Sequence, residues 1–286
     1  MTNQEFLNEI LEYQKSRYLF FQKYQEIAKE IFVVFHDLCV KNNIPYYIAC
    51  GSLLGAYRDN GVIPWDCDFD VYISYDSVEK LQRLLDEKLP SGYYYLSDLN
   101  NKDFAYYQIR ICKSGYNDGV HVDVFYLIGM PNEKSKQQRL KKKINRLFSN
   151  RILKVEARAN QKSTIKNYIK RIASVFVNQD INDKKMRRLC KLYPDPIKNA
   201  EYVAAVFRED AVFPACLFGV PQLFKAGKVE MLAPQDIEGY LTLYYGDWKS
   251  YYPIQDRYHE FDVLCNYLEK VEIEHIKIMN NGDGKL

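Results

Sequence analysis

The chain has 286 residues, of which 47% are hydrophobic and 27% are charged. Both fractions are close to those of folded globular proteins, and the length allows one large domain or two small ones with a sizeable core. No run of about 18 apolar residues occurs, and the first residues lack a basic segment ahead of an apolar one. These features argue against a membrane-spanning helix and predict a cytoplasmic protein.

The seven cysteines are scattered along the chain and include no C-x-x-C pair. Neither a disulfide framework nor a zinc knuckle is therefore indicated. We expect a reducing compartment, which agrees with a cytoplasmic location.

Charge is distributed very unevenly. Residues 134–171 contain 14 Lys or Arg and a single acidic residue, Glu156. This segment has a formal charge of +13, which leaves −10 on the rest of a chain whose total is +3. A basic block on an acidic body is a local electrostatic feature and not a property of the whole chain.

Apolar residues recur at helical spacing from residue 3 to about residue 40, which predicts one long amphipathic helix or two shorter ones. Only Arg17 interrupts this stripe, and Asn42–Pro45 ends it. A short helix is predicted at residues 53–58. Strands are predicted at residues 46–50, 69–73, 93–96, 104–112 and 120–128.

Asp76 and Glu79 resemble a capping box for a helix that runs to about Glu87. Strands and helices alternate up to about residue 130, and helices dominate afterwards, which predicts an α+β fold with helices flanking a mixed core. We predict an N-terminal helical segment at 1–43, a catalytic core at 44–130, a basic helical insertion at 131–180 and a helical or mixed region at 181–286.

Three carboxylates alternate in the sequence Asp66-Cys67-Asp68-Phe69-Asp70. Side chains at every second position of a strand share one face, so Asp66, Asp68 and Asp70 project together wherever the strand extends back far enough. Their mutual repulsion raises their pKa values unless a divalent cation lies between them, and oxygen ligands favour Mg²⁺ or Mn²⁺. The alternative interpretation is a solvated acidic turn.

A later strand places Asp123 between two valines that point inward, so its carboxylate lies on the opposite face and can complete the same metal site. The alternative is a solvated aspartate on an edge strand. Gly51 and Ser52 stand at a strand-to-helix junction, where free N–H groups and the helix dipole favour a phosphate. Arg58 and Arg110 are candidates to neutralise further phosphate charge, or else ordinary surface charges.

Two stretches, Gly51–Arg58 and Gly61–Asp70, together resemble the signature of the LicD family, which contains phosphocholine transferases and fukutin-related proteins. Further similarity lies in His121–Phe125 and in the C-terminal pattern from Pro234 through Tyr244-Tyr245-Gly246-Asp247-Trp248 to His259. The resemblance covers about residues 45–260, and its first motif is quite specific.

This resemblance implies a nucleotidyltransferase-like fold and an enzyme that moves a phospho-substituent such as phosphocholine. The donor would be CDP-linked, and the acceptor a hydroxyl of a cell-surface glycan or of its lipid-linked precursor. It also implies that the Gly51-Ser52 pair holds donor phosphates and that Asp68, Asp70 and Asp123 bind metal, with Asp66 as a supporting group or further ligand.

Two positions depart from the family pattern: Cys67 stands where another aspartate is usual, and Tyr57 where a smaller residue is common. Neither removes a carboxylate from the core. The departures leave the donor head group open. Candidate contacts to the head group or substrate are Trp65, through cation–π interaction, and Tyr57, Asp247 and His259.

Residues 134–171 interleave cations with apolar residues at helical spacing, as a helix on an anionic membrane surface does. Peripheral association with the inner face of a membrane and a solvated helix packed on the core are both open for this segment.

Two other functions are also open for the protein. One is a nucleotidyltransferase for a small molecule or RNA, although no RNA-module signature is found and no nucleic-acid partner is expected. The other is a non-catalytic binding protein of the same fold.

Overall fold

The computed structural model describes residues 2–116, 119–159, 164–206 and 211–280. The helices are α1 (Asn3–Lys41), α2 (Cys50–Leu54), α3 (Tyr75–Lys88), α4 (Lys134–Ala159), α5 (Ile165–Val175), α6 (Gln179–Cys190), α7 (Pro196–Asn199), α8 (Ile237–Tyr245) and α9 (Ile254–Asn280). The strands are β1 (Tyr47–Ile48), β2 (Phe69–Ser74), β3 (Tyr93–Ser97), β4 (Gln108–Lys113), β5 (His121–Met130), β6 (Tyr202–Ala205), β7 (Phe213–Pro214), β8 (Gln222–Ala226) and β9 (Val229–Ala233).

The central strand of the main sheet is β5. It pairs in parallel with β2 along one side, and on the other side its first half pairs with β4 and its second half with β6, both antiparallel. The remaining sheet strands lie outside these, in the order β1-β2-β5-β4-β3 with β7 beside β6. This mixed sheet with its helices confirms the predicted α+β class. The division of the chain at residues 43, 130 and 180 stays a prediction, and β6 and β7 come from the predicted C-terminal region.

The long N-terminal helix is confirmed as one helix, α1, which begins with a capping box between Thr2 and Glu5. Its middle turns are buried and pack on the sheet. Arg17, which interrupts the apolar stripe, is 6% exposed and binds Asp262, Asn266 and Glu269 of α9. The interruption therefore fixes α9 to α1.

Three local predictions differ from the structure. The capping box at Asp76 is wrong, because Ser74 precedes α3 without a side-chain cap, and the Asp76 carboxylate accepts the backbone N–H of Asp195 instead. The first strand is shorter than predicted because Cys50 already begins α2, which continues as a π-helical turn at Gly55–Asp59. Strand β4 begins at Gln108 and not at Phe104.

The seven cysteines are free thiols, as their scattered positions predict. In the parts of the chain that the structure describes, no helix is both long and apolar enough to cross a membrane.

Candidate active site

A cleft of about 1230 Å³ lies over the first residues of β2 and β5. Its walls come from α2, the loop at residues 63–68, strands β2, β4 and β5, and helices α4, α5, α8 and α9. All four predicted carboxylates line it: Asp66, Asp68, Asp70 and Asp123. The sheet therefore brings together the two acidic motifs that are about 50 residues apart in the chain.

Strand register explains how the carboxylates meet. Asp70 on β2 is the register partner of Asp123 on the parallel strand β5. On the other side of β5, Arg110 of β4 is also the register partner of Asp123. Register partners on adjacent strands point to the same face of a sheet, so three neighbouring strands each present one charged side chain to the cleft.

The other two carboxylates lie in the loop just before β2, in which burial continues to alternate from residue to residue. Gln25 of α1 fixes this loop, because its side-chain amide donates to the carbonyl oxygens of Ile63 at 3.2 Å and of Asp66 at 2.7 Å. The N–H of Cys67 donates to Asp66 Oδ1 at 2.9 Å. Nothing in the sequence pattern marks Gln25 for this function.

Gly51 is required by the close approach of Asp66. A Cβ atom at Gly51 would lie 2.7 Å from Asp66 Oδ2, which is well inside van der Waals contact. Gly51 also lines the cleft, and its contact with donor phosphate stays a prediction. The glycine of the motif therefore lets the backbone of α2 pass directly beside a carboxylate.

Three of the carboxylates hold their protons unusually strongly. Burial, followed by repulsion from neighbouring carboxylates, raises the pKa of Asp68 to about 8 and that of Asp70 well above its usual value. Burial also raises the pKa of Asp66, which shares a side-chain hydrogen bond with Asp68. Such a group is stabilised by a proton or by another cation.

Asp123 behaves in the opposite way. Burial alone would raise its pKa, but the neighbouring His121 and Arg110 outweigh burial and lower it. Arg110 donates to both oxygens of Asp123, at 2.8 and 2.9 Å, and His121 Nε2 lies 3.5 Å from Oδ2. Asp123 is therefore an ionised carboxylate between two basic side chains, and its negative charge neutralises much of the positive charge of Arg110.

His121 is a site residue that the motif analysis missed. Its ring lies between the two acidic motifs, 3.5 Å from Asp123 and 4.0 Å from Asp68 Oδ2. Burial lowers the pKa of His121, but Asp123 outweighs that effect and raises it. The strand period could have identified it, because His121 is two residues before Asp123 and so shares its face.

Ser52 is placed differently from its glycine neighbour. Its hydroxyl accepts the backbone N–H of Asp70 at 2.8 Å, and its side chain lines a second cavity on the other side of α2. The N–H of Cys50, which opens α2, donates to the hydroxyl of Tyr240 at 3.1 Å. In this structure Ser52 positions Asp70, and the cleft-facing residue of the pair is Gly51.

Arg58 and Trp65 both line the cleft. Arg58 binds Asp59 through two hydrogen bonds of 2.9 Å and lies 4.3 Å from the ring centre of Tyr251. Trp65 packs edge-on against Tyr251, and the guanidinium of Arg257 lies 5.4 Å from the Trp65 ring. Behind the cleft surface, Tyr251 and Arg257 thus pack against Arg58 and Trp65 in a cluster of aromatic rings and guanidinium groups.

The remaining predicted contacts divide into two groups. His259 lines the cleft from α9. Tyr57 does not: its hydroxyl donates to Glu238 at 3.0 Å and its ring packs against Trp248 and Phe224. Asp247 also lies outside the cleft lining and accepts a hydrogen bond from Ser250 at 2.6 Å.

Further aromatic side chains line the cleft. They are Tyr106, Phe125, Phe148, Tyr244, Tyr245 and Tyr252.

Within the described residues, no three His, Cys, Asp or Glu side chains form a group that could hold a metal ion by themselves. Asp123 is paired with Arg110 through both carboxylate oxygens, whereas Asp68 and Asp70 have raised pKa values.

Comparison with known proteins identifies the domain that carries this cleft. Residues 43–167 match the family model described as "LicD/FKTN/FKRP, nucleotidyltransferase domain". The lipopolysaccharide cholinephosphotransferase LicD of Haemophilus influenzae is 26% identical over 255 residues, which cover 82% of this chain and 92% of that protein. Uncharacterized proteins of Rickettsia prowazekii and Rickettsia typhi are 45% and 43% identical over 58 residues, or 20% of this chain and 22% and 19% of theirs. The resemblance to the LicD family that the motifs indicate is therefore confirmed, by the family-model match over residues 43–167 and by the similarity to the LicD protein of Haemophilus influenzae.

Proposed function

We propose that the protein transfers a phospho-substituent, phosphocholine in the first instance, from a CDP-linked donor to a hydroxyl of a cell-surface glycan or its lipid-linked precursor. The similarity to a lipopolysaccharide cholinephosphotransferase over most of both chains supports the reaction class. The observation that carries the proposal is the cleft in which Asp68 and Asp70, both with raised pKa values, lie beside the paired Asp123 and Arg110.

Asp68 and Asp70 are suited to bind a divalent ion. Mg²⁺ is commonly held by one or two protein carboxylates together with substrate phosphates, and Asp68 and Asp70 are such a pair. A bound Mg²⁺ or Mn²⁺ would neutralise charge on the donor phosphates.

Residues of the protein itself would assist the phosphoryl transfer and accept the proton. The acceptor oxygen bonds to the phosphorus that bears choline, the bond from this phosphorus to the bridging oxygen breaks, and cytidine monophosphate leaves. The acceptor proton would pass to Asp68 or Asp70 in its ionised form, because a carboxylate in the cleft can act as a general base. Asp123 is held by Arg110 and keeps Arg110 and His121 oriented toward the reacting groups.

The aromatic side chains of the cleft suit a choline head group. A quaternary ammonium binds the faces of Trp and Tyr rings, and Trp65, Tyr245 and Tyr252 line the cleft. The guanidinium of Arg257 lies over Trp65, which is a cation–π contact behind the cleft surface.

The proposal is tested by incubation with CDP-choline, CDP-ethanolamine or CDP-glycerol, lipopolysaccharide as first acceptor and Mg²⁺, while cytidine monophosphate is followed by chromatography. We expect release from at least one donor and its loss in Asp68→Asn and Asp70→Asn. Asp180→Asn, which removes an exposed carboxylate paired with Lys102, is the matched control. Pyrophosphate release from a nucleoside triphosphate would identify a nucleotidyltransferase instead, and unchanged transfer in both active-site variants would refute the catalytic assignment.

A further inference from the structure

Helix α5 packs on the protein through its polar side. Asn167 and Ser174 are buried, at 9% and 7% exposed, and Lys154 of α4 donates to the carbonyl oxygen of Ser174 at 3.0 Å. Lys170 is half-buried and binds Glu156 of α4 at 2.5 Å. These contacts fix which side of α5 faces the body of the protein.

The apolar side of the same helix faces outward. Its members follow three- and four-residue steps along one stripe, and their exposed fractions range from 49% to 86%. They are Ile165, Tyr168, Ile169, Ile172, Val175 and Phe176. A helix in a globular protein normally buries this stripe, so its contiguous exposure marks an interaction surface.

Helix α4 does not share this arrangement, although it belongs to the same basic segment. Its apolar residues are buried against the core, at Leu140, Ile144, Leu147, Phe148 and Val155. Its outer face carries cations instead, among them Arg139, Lys142, Lys143 and Arg146. Of these two helices, α5 is the one that combines positive charge with an unburied apolar face.

We propose that the exposed face of α5 docks this protein on an anionic lipid bilayer. The helix sequence places Lys166 and Arg171 beside this apolar stripe and contains no acidic residue, so its charge is complementary to anionic head groups. A second copy of the chain is a poorer occupant, because a symmetric contact through α5 would bring the cations of two helices together. Aromatic and branched apolar residues beside cations are the composition of interfacial helices.

Docking through α5 would also hold the cleft close to the bilayer surface. Lys170 of α5 and its partner Glu156 both line the cleft, so the docked face is next to the cleft wall. A lipid-linked acceptor could then reach the carboxylates from the bilayer surface. This consequence for the acceptor rests on the proposed function, whereas docking itself does not.

The test is flotation of the full chain with vesicles of phosphatidylethanolamine and phosphatidylglycerol, compared with pure phosphatidylcholine, at physiological salt and without any donor. We expect binding to the anionic vesicles only, with at least a tenfold lower partition coefficient in Tyr168→Ser/Ile169→Ser/Ile172→Ser. The matched control replaces three equally exposed apolar residues elsewhere, in Val220→Ser/Leu223→Ser/Ile254→Ser, and should bind like the wild type. All six positions are exposed, and circular dichroism checks that both triple variants fold.

Three results would overturn the proposal. They are wild-type protein that ignores anionic vesicles, an α5 variant that binds as well as the wild type, and a dimer in sedimentation velocity that the α5 substitutions dissociate. Since no nucleotide is present, failure here is distinct from failure of transfer from a CDP-linked donor.

Discussion

Arg110 donates through Nε and Nη2 to the two carboxylate oxygens of Asp123, at 2.8 and 2.9 Å. The two residues are register partners on β4 and β5, and only 15% and 9% of their side chains are exposed. The forked guanidinium matches the carboxylate, so the pair is directional as well as charged. It places a fixed anion and a fixed cation beside Asp70, the register partner of Asp123 on β2.

Replacing Arg110 should separate its contribution to the stability of the fold from its contribution to catalysis. Arg110→Ala leaves Asp123 buried without its partner, and we expect a loss of about 3–5 kcal/mol in the free energy of unfolding, measured by urea titration. Arg110→Lys keeps the charge but loses the fork, so it should retain more stability while lowering kcat by roughly tenfold or more. Arg83→Ala, which removes a guanidinium on the exposed side of α3, is the control and should change neither quantity. An alanine variant as stable as the wild type would contradict the buried pair.

Replacing Gly51 tests the geometry of the carboxylates without substituting any of them. The Cβ atom of Gly51→Ala would meet Asp66 Oδ2 at 2.7 Å, and that carboxylate must move. Because the clash is with the end of a side chain, we expect the protein to fold and kcat to fall by roughly tenfold or more. Gly61→Ala is the matched control, since nothing lies within 4 Å of its Cβ position. It should be active and about 0.4–1 kcal/mol more stable. Equal activity of the two variants would refute the requirement for close approach.

The sequence predicted the parts of the site that depend on local pattern. The period of two placed Asp68 and Asp70 on one strand face and Asp123 on the outward face of its own strand, and all three line the cleft. The α+β class followed in the same way from alternating strand and helix patterns.

Partners of the polar side chains could not be predicted, since they depend on which strands are adjacent. Nothing in the sequence indicates that β4 and β2 flank β5, and this order brings Arg110 to Asp123. Ser52 and Tyr57 are in the motif, but long-range contacts with Asp70 and Glu238 occupy their hydroxyls. The wrong capping box at Asp76 has the same origin, because Asp195 approaches from more than 100 residues away.

Asp68 gives a pH-dependent prediction for the metal-free protein. Its pKa is raised from 3.8 to about 8, first by burial and then by repulsion from Asp66. The stabilising protonated form is complete below pH 3.8, and this stability is lost as pH rises through about 8. Asp68→Asn does not titrate, so in EDTA its Tm should exceed that of the wild type by a margin that grows from pH 5 to pH 8.

The same two proteins test whether a cation replaces that proton. Adding Mg²⁺ or Mn²⁺ at pH 8 should raise the Tm of the wild type and change that of Asp68→Asn much less, because one cation ligand is missing. EDTA should also abolish release of cytidine monophosphate from the active CDP donor, and Mg²⁺ should restore it. A wild-type Tm that does not respond to either ion, together with activity in EDTA, would sink the metal proposal.

His36 gives a prediction for how the stability of the fold changes at mildly acidic pH. Burial lowers the pKa of His36 below its usual value of 6.5, although Asp37 and Glu230 oppose this effect. Its Nδ1 lies 2.7 Å from the hydroxyl of Tyr46, which also accepts the N–H of Leu232 at 3.2 Å, so the Tyr46 hydroxyl donates to a neutral ring. A lowered pKa means that this contribution is complete above pH 6.5 and is lost as pH falls through the folded-state value.

The free energy of unfolding of the wild type should therefore fall more steeply between pH 7.5 and pH 5.5 than that of His36→Gln, as measured by urea titration at each pH. His259→Gln removes an exposed histidine from α9 and should keep the wild-type slope. If His36→Gln and the wild type lost the same free energy over this range, His36 would not be the buried neutral group that its contact with Tyr46 requires. Since His36 lies outside the cleft lining, a positive result separates acid destabilisation of the fold from titration of the carboxylates in the cleft.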